Sequence, residues 1–513
     1  MRKVYRSILA LVLSLVMVLG MIVISAAMQP ELYAVWVGGK QVSSANADDV
    51  LGDGTVCYDA ARKTLTLKNA NIKSEGEFIR TLHADEDLTI NLIGANSVAN
   101  MGNFDMGDYS WVSPAISVFG DLEINADNPE ASLTAISAFD NGIDAINVTI
   151  NGGKVYASGT DILSDDNGDD YPIGAGIFAS TTVTITGGEV TAEGNYAGIG
   201  SFYGFTVTGG TAKATGGEYG ILSDGDVTIT GGEVTAEGGG EGISSTFSNI
   251  PFNITISNAV VTVKGGLSGI EGHGTVSISD SEVTASGGEN GLYADTAITI
   301  DNSTVKAYGE TLHGIVAPSI SISDATVETE GYLTGIFAFN DNCSVVISNS
   351  TVTAKASDAE GTAIDAIFGT LTIKDNAKVI AGCRKGLCAD EINILKNSTV
   401  EIDAAQYAIY FCDELNFGNN WYKWSTDGGK SFKDSSKMPL KVEEASETMT
   451  LLIEPNGKYP TISKPTNIHG VPSFGSAEQP LESPKTFDGG IALPISMAIL
   501  AATGGVWLAK KKD

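Results

Sequence analysis

The chain repeats a short hydrophobic pattern about every 22 residues over most of its length. A small residue followed by isoleucine or leucine recurs at eleven places between Gly176-Ile177 and Ala408-Ile409, and most steps are 21–23 residues. Equivalent side chains at a constant interval indicate that each repeat contributes the same positions to one continuous core. A single repeat of this size has no core of its own, so the pattern requires an array of stacked units.

Two further aliphatic columns run through the same repeats. The first of these columns contains Ile185, Val207, Ile229, Ile256, Ile278, Ile300, Ile322, Ile347, Ile373 and Ile394. The other, five or six residues later, contains Val190, Ala212, Val234, Val261, Val283, Val305, Val327, Val352, Val379 and Val400. Alternation such as Thr184-Ile185-Thr186 is typical of a strand with one solvated face. Two residues after most members of the first column comes Gly, Asn or Asp, which suits a sharp corner with left-handed torsions.

Three short strands joined by corners in each repeat predict an all-β fold, a right-handed single-stranded parallel β-helix. The array would hold about 13 coils of about 22 residues, with small β caps at its ends. An antiparallel sandwich also uses short alternating strands, but it does not require equivalent side chains at a constant interval. The predicted organisation is a signal peptide at 1–27, an N-terminal β cap at 28–92, the β-helix at 93–412, a C-terminal β cap at 413–454, a proline-rich spacer at 455–482 and a sorting signal with a transmembrane anchor at 483–513.

The two ends of the chain predict an extracellular location at the cell surface. Arg2, Lys3 and Arg6 precede a long apolar run that ends in small residues, as in a secretory signal peptide, although an uncleaved anchor has the same pattern. Near the other end, an apolar stretch at 491–509 is long enough to span a bilayer and is followed by three lysines.

Composition restricts the partners. The formal net charge is −32, and such a surface repels nucleic acid and anionic membranes, so nucleic-acid binding is not expected. The basic residues of the β-helix are few and form no cluster, since Lys213 and Lys306 share a column but lie four coils apart. This argues against a lyase that needs a basic group beside bound calcium. Acidic residues are abundant enough that pairs at the spacing of a hydrolase would occur by accident. The sequence therefore neither indicates nor excludes a hydrolase.

A dense acidic insertion is the candidate metal site. Its side chains with oxygen atoms are Asp161, Asp165, Asp166, Asn167, Asp169 and Asp170. Six to eight oxygen ligands suit Ca²⁺, so these residues predict a calcium site, with an ordinary solvated loop as the alternative.

Tyrosines supply the candidate ligand-binding residues. Tyr196, Tyr203 and Tyr219 lie in neighbouring repeats, and rings on one side of the β-helix could present flat faces to the C–H groups of a sugar. Packing of loops explains the same tyrosines equally well. Trp421, Tyr422 and Trp424 form the densest group of rings, and capping the end of the core is the favoured role for them.

Two parts of the chain resemble known families. The pentapeptide Ser483, Pro484, Lys485, Thr486 and Phe487, followed by the apolar tail and lysines, resembles a sortase sorting signal of the Ser/Asn-Pro-x-Thr-Gly kind seen in clostridia. Phe487 replaces the glycine of that motif, and a tail that simply stays in the membrane is the alternative to covalent transfer to the cell wall. The resemblance implies sortase or the membrane as a partner.

The segments Val35-Trp36-Val37-Gly38-Gly39 and Thr64-Leu65-Thr66-Leu67, with coils such as the one at 227–236, resemble clostridial surface proteins described as carbohydrate-binding-domain proteins. That resemblance implies a β-helix that binds plant-type polysaccharides, including acidic ones, with help from calcium. The leading hypothesis is therefore a non-catalytic surface protein that binds polysaccharide or glycan. The alternatives are an adhesin or spacer with a protein partner, and a polysaccharide lyase or hydrolase.

Overall fold

The computed structural model describes residues 12, 29–74, 80–101, 114–160, 162–164, 170–172, 174–246, 250–395, 397–409, 414–416, 421–425, 433–434 and 449–454. The predicted signal peptide, spacer, sorting signal and membrane anchor lie outside these residues, except for Val12. Among the residues that are described, no helix is long and apolar enough to cross a membrane.

The described residues form 44 strands. The N-terminal strands are β1 Leu32–Val37, β2 Lys40–Ser43, β3 Val56–Asp59, β4 Thr64–Lys68, β5 Asn71–Ser74, β6 Leu82–Ala84, β7 Leu88–Ile93, β8 Ala95–Asn100, β9 Ile116–Ala126, β10 Ser132–Ser137, β11 Ile143–Ile150, β12 Lys154–Gly159, β13 Ile162–Ser164 and β14 Asp170–Pro172. The central strands are β15 Ala175–Ile185, β16 Glu189–Gly194, β17 Ala197–Ser201, β18 Gly204–Val207, β19 Thr211–Gly216, β20 Tyr219–Ser223, β21 Asp226–Ile229, β22 Glu233–Gly238, β23 Glu241–Ser245, β24 Ile254–Ser257, β25 Val260–Gly265, β26 Ser268–Gly272, β27 Thr275–Ser279, β28 Glu282–Gly287, β29 Asn290–Ala294 and β30 Ala297–Asp301. The remaining strands are β31 Thr304–Gly309, β32 His313–Val316, β33 Ser319–Ser323, β34 Thr326–Gly331, β35 Thr334–Phe337, β36 Cys343–Ser348, β37 Thr351–Ala356, β38 Thr362–Lys374, β39 Lys378–Ile394, β40 Thr399–Ile409, β41 Glu414–Asn416, β42 Trp421–Ser425, β43 Lys433–Asp434 and β44 Met449–Glu454.

These strands build a parallel β-solenoid of about 13 turns with about 23 residues in each turn. The three columns of the sequence correspond to three parallel sheets. Sheet 1 contains the strands with the small-residue–isoleucine signature, such as β20, β23 and β26; sheet 2 contains β21, β24 and β27; and sheet 3 contains β22, β25 and β28. The predicted fold class is confirmed.

The core consists of rows of small and aliphatic side chains that run along the axis, with two rows from sheet 2, such as those of Val227 and Ile229, and two from sheet 3. Ile270, for example, is fully buried and pairs with Ile243 of the preceding coil and Leu292 of the following coil. Burying one such side chain stabilises the fold by about 1.5–3 kcal/mol. Since every coil repeats the arrangement, the hydrophobic effect is distributed evenly along the axis.

The glycine of the sheet 1 signature is required by a close approach of two backbones. A Cβ atom at Gly220 would lie 2.5 Å from the carbonyl oxygen of Gly242 in the next coil and 2.7 Å from the amide nitrogen of Glu237. No side chain fits there. The recurring small residue therefore marks the place where the end of a sheet 3 strand crosses the start of a sheet 1 strand.

The corner between sheets 2 and 3 has two forms. In six coils the left-handed residue is the predicted one, two positions after the isoleucine column, and these residues are Asn258, Asp280, Asn302, Asp324, Asn349 and Asp375. In three glycine corners the prediction was wrong by one residue, because Gly188, Gly210 and Gly232 have positive φ instead of the glycines before them. A second glycine can take the turn itself, whereas Asn or Asp must be followed by an ordinary residue.

The six Asn and Asp corners alternate strictly along the axis. Asn302 donates from Nδ2 to Oδ1 of Asp280 at 2.6 Å, and Asn349 donates in the same way to Asp324. Because the coils are about 4.8 Å apart, two stacked aspartates would bring like charges together. The alternation replaces each such repulsion with an amide-to-carboxylate hydrogen bond.

The ends of the array differ from its middle. Antiparallel pairs β1–β2, β1–β6 and β3–β4 cover the N-terminal end, and parallel stacking begins at β4 with its pairing to β7, within the segment predicted as a cap. At the other end, β44 pairs antiparallel with β40 and also with β42. Antiparallel strands at both ends keep the last parallel edges from pairing with another chain.

Substituting a core isoleucine should destabilise the whole solenoid. We expect Ile270→Ala to lower the free energy of unfolding by about 2–4 kcal/mol, because it removes a fully buried side chain from a row that cannot close over the gap. Urea unfolding followed by circular dichroism measures this. Thr262→Ala, on the exposed face of sheet 3, is the control and should cost less than about 1 kcal/mol. Equal effects for the two variants would contradict the stacked core.

Breaking the alternation of the corners should also destabilise the fold. Asn302→Asp would place three carboxylates in consecutive coils and remove the donor to Asp280, with a repulsion of about 1 kcal/mol for each neighbouring pair in water. We expect a lower unfolding midpoint, with a difference that shrinks as salt is added. Asp280→Asn is the matched control and should unfold like the parent chain. A salt-independent loss in Asn302→Asp would show that charge is not the cause.

Candidate functional site

One stretch of sheet 1 carries an unusual concentration of ionisable side chains. It covers β17, β20, β23, β26 and β29, with the residues just before and after them. We call this surface the acidic face, and its members are Tyr196, Glu218, Tyr219, Asp224, Glu241, Glu271, His273, Glu289, Tyr293 and Asp295. All of these residues come from five consecutive coils, so the stacking of the solenoid brings them together.

The first half of the acidic face is built around two tyrosines. The Tyr196 and Tyr219 rings, from successive coils, have centroids 5.4 Å apart and planes inclined at 72°, an edge-to-face contact. Both rings are half-buried. Burial raises the pKa of the Tyr219 hydroxyl, and the negative charge of nearby Glu241 and Glu218 raises it further. Both tyrosines are therefore neutral at physiological pH, with part of each ring accessible beside carboxyl groups.

Glu241 lies in the middle of the acidic face. Glu241 is 9% exposed. Burial raises the pKa of its carboxyl to about 8, and the negative charges of Glu271, Glu218 and Glu289 act in the same direction. Burial also raises the pKa of the Asp224 carboxyl to about 7. These two carboxyl groups hold protons at a pH at which exposed carboxyl groups have lost them.

The second half of the acidic face is a hydrogen-bonded group around His273. Nδ1 of His273 lies 2.7 Å from Oδ2 of Asp295, and Nε2 lies 3.6 Å from Oε1 of Glu271. The hydroxyl of Tyr293 donates to Oδ1 of Asp295 at 2.6 Å. Burial raises the pKa of the Glu271 carboxyl. The imidazole thus bridges two carboxylates from neighbouring coils and fixes their orientation.

Two buried acceptors of this region have no hydrogen-bond partner among the described residues. They are Oε2 of Glu241 and Oδ1 of Asn290, and both residues are more than nine-tenths buried. Each is the first residue of its sheet 1 strand, and the register places them two coils apart with Ser268 between them. An unpaired buried acceptor costs about 1–3 kcal/mol, so donors at these positions would stabilise the site.

Positive charge is scarce at this surface. Residues 196–295 contain two lysines and no arginine, and the lysines, Lys213 and Lys264, lie on exposed positions of sheet 3. Nζ of Lys264 binds Glu237 of the same sheet at 3.0 Å. Apart from His273, the carboxylates of the acidic face therefore have no cationic side chain on their own sheet in these coils.

The structure separates the three tyrosines predicted to bind ligand. Tyr196 and Tyr219 are in contact, as the prediction requires. Tyr203 follows β17, whereas Tyr196 precedes it, so a strand of five residues, about 16 Å, lies between them. Tyr203 is 70% exposed at the corner between sheets 1 and 2 and does not belong to the acidic face.

The other predicted site residues fall mainly outside the described part of the chain. Asp161, Asp165, Asp166, Asn167 and Asp169 are not described, and Asp170 is described only as the start of β14, which pairs with β13 in a hairpin. The residues that are described include no group of three or more His, Cys, Asp or Glu side chains that could hold a metal ion. The sorting signal Ser483–Phe487 and the calcium site both remain predictions.

Sequence reasoning missed the carboxylates of the acidic face. The residue just before the small-residue–isoleucine pair is alanine, serine, asparagine or threonine in six of the eleven repeats. It is Tyr219 and Glu241 in two successive repeats, and His313, Lys385 and Tyr407 in three others. Large polar side chains are therefore too common at this position for the sequence alone to single out Glu241.

Replacing Glu241 should change how stability depends on pH. The pKa of about 8 lies above that of an unfolded glutamate, so the native chain holds a proton that the unfolded chain has lost at intermediate pH. The resulting stability is fully present below about pH 4.5 and is lost as pH rises through about 8. We expect Glu241→Gln to lessen the fall in unfolding free energy between pH 5 and 8, measured by urea unfolding. Glu282→Gln, at an exposed position of sheet 3, should leave the decline unchanged, and an unchanged decline in Glu241→Gln would contradict the assignment.

Comparison with known proteins agrees with the architecture. The family model described as beta helix repeat matches residues 148–177, 183–204 and 227–246, which include parts of the acidic face. No curated protein and no solved structure showed a significant match. Repeat match and coordinates together identify this chain as a beta helix repeat protein with a β-solenoid fold.

Proposed function

We propose that the protein is a non-catalytic glycan-binding protein and that the acidic face is its binding surface. The observation that carries this proposal is the pair of half-buried rings, Tyr196 and Tyr219, held in contact beside Glu218 and Glu241. Aromatic faces accept the C–H side of a sugar ring, and carboxylates accept hydrogen bonds from its hydroxyl groups. Tyrosine also provides a large contact area with little loss of conformational entropy.

The shape of the surface suits a polymer. The members of the acidic face come from five coils stacked at about 4.8 Å, so they form a strip about 20 Å long parallel to the axis. A strip of this kind offers similar groups at regular intervals, as does a chain of sugar units. The strip is also rigid, because each of its residues lies on a paired sheet 1 strand or next to the end of one, and a rigid surface loses little entropy when it binds.

We also propose that the protein is exported and held at the cell surface. The support is in the sequence alone: the basic and apolar segment at 1–27, and the sorting-type pentapeptide, apolar stretch and lysines at 483–513. Anchoring by sortase and retention in the membrane are separable, because only the first leaves the protein attached to cell-wall fragments after detergent extraction. A protein recovered from the cytoplasm would contradict both.

Binding should depend on the paired tyrosines. We expect Tyr219→Ala to weaken glycan binding about tenfold, because it removes one ring of the pair and the support of the other. Binding to a glycan array, followed by titration calorimetry on the best ligand, measures this. Tyr156→Ala, which removes a tyrosine from sheet 3, is the matched control and should bind like the parent chain.

Two outcomes would contradict parts of the proposal. A blank array together with a protein partner would favour the alternative of an adhesin. New reducing ends or unsaturated products during incubation with the bound polysaccharide would show a hydrolase or lyase.

Calcium as a cofactor of the segment 161–170 remains a proposal from the sequence, and the same titration with EDTA tests it, since loss of binding is expected only if the ion supports the site.

A further inference from the structure

The acidic face lacks the positive charge that would neutralise it. Glu218, Glu289 and Asp295 are exposed at this surface, and Glu218 and Glu289 lie near the buried carboxyl of Glu241. Elsewhere on the solenoid, carboxylates have lysine partners, as in the pair of Lys154 and Glu130 at 2.7 Å. Here the coils contribute only His273, which already lies between Glu271 and Asp295. The remaining negative charge is available to a ligand.

A second observation, independent of charge, points to a ligand that donates hydrogen bonds. Oδ1 of Asn290 is buried without a partner, and its neutral amide does not belong to the cluster of carboxylates. Oε2 of Glu241 is unpartnered at the same register position. Both acceptors belong to the first residue of a sheet 1 strand, and the exposed Glu289 directly precedes Asn290 in the chain. An acceptor-rich site of this kind favours a group with several donors and no lone pair.

An ammonium group has these properties. It has three donors and no acceptor, so every hydrogen bond it makes at this surface is with an oxygen atom. A hydroxyl group brings one donor together with lone pairs that would face the carboxylates. Charge-assisted hydrogen bonds are also about twice as strong as neutral ones.

We propose that the acidic face selects glycans whose sugar rings carry free, protonated amino groups. The polymer class is an amino sugar chain without N-acetyl groups, with its rings against Tyr196 and Tyr219 and its ammonium groups on the exposed carboxylates of Glu218 and Glu289. This inference rests on the proposed function, since it specifies the class of glycan that the same surface takes. It excludes polysaccharides rich in uronic acids, whose carboxylates would be repelled.

Two oligosaccharides that differ only in acetylation test the proposal. We would titrate the full-length protein at pH 6 and 50 mM salt with a glucosamine oligomer and with the N-acetylglucosamine oligomer of the same length and linkage. We expect the free amine form to bind at least tenfold more tightly. In Glu218→Gln, an exposed substitution that leaves the core intact, the ratio of the two affinities should fall to about threefold or less. Glu282→Gln, on sheet 3, should keep the full ratio.

Each outcome separates this inference from the proposed function. Equal affinity for the two oligomers, or binding only to neutral or acidic glycans on the array, would overturn the amino-sugar inference and leave glycan binding in place. Binding to no glycan at all would overturn both. Polylysine that binds as tightly as the glucosamine oligomer and is equally weakened by Glu218→Gln would show a site for cationic protein, and that would also overturn the inference.

Discussion

Each coil of this solenoid can bury its aliphatic side chains only because another coil lies directly on it. The same parallel ladder that satisfies the backbone hydrogen bonds places isoleucine on isoleucine, as with Ile243, Ile270 and Leu292. A single coil has neither the ladder of backbone hydrogen bonds nor the stacked aliphatic core, and both are complete once a few coils are stacked. The antiparallel strands at the two ends, such as β44 on β40, are a consequence, since a ladder of this kind would otherwise continue into another molecule.

Stacking of equivalent positions also constrains the polar residues. Whatever stands at a position in one coil has its counterpart about 4.8 Å away in the next, so charges of one sign tend to accumulate in rows. At the corners between sheets 2 and 3, alternation of Asn and Asp removes the problem, and Asn302 donates to Asp280. On sheet 1 the problem is not removed, because Glu218, Glu241 and Glu271 come from successive coils, and the charges of Glu271 and Glu218 make Glu241 harder to ionise.

This contrast is the physical reason to regard the acidic face as a functional surface. A protein that separates like charges at one corner but gathers them on a neighbouring sheet loses stability at the second place. The buried, unpartnered oxygens of Glu241 and Asn290 add to that loss. Proteins keep such destabilising arrangements mainly at functional sites, where a ligand supplies the missing hydrogen-bond donors.

The sequence by itself determined the architecture, because a period near 22 residues with three aliphatic columns allows few arrangements other than stacked coils. It also placed Tyr196 and Tyr219 on one side, since both precede or begin a sheet 1 strand. The tertiary structure decided which acidic residues meet. Glu218, Glu241, Glu271 and Asp295 are spread over 78 positions of a chain rich in acids, and nothing in their spacing distinguishes them from carboxylates on the other sheets. Tyr203 shows the same limit, because a strand of five residues separates it from Tyr196. Alternation along a strand shows which side chains point into the core and which point outward. Which side chains of different coils lie close together depends on how the corners turn, and that is a property of the assembled solenoid.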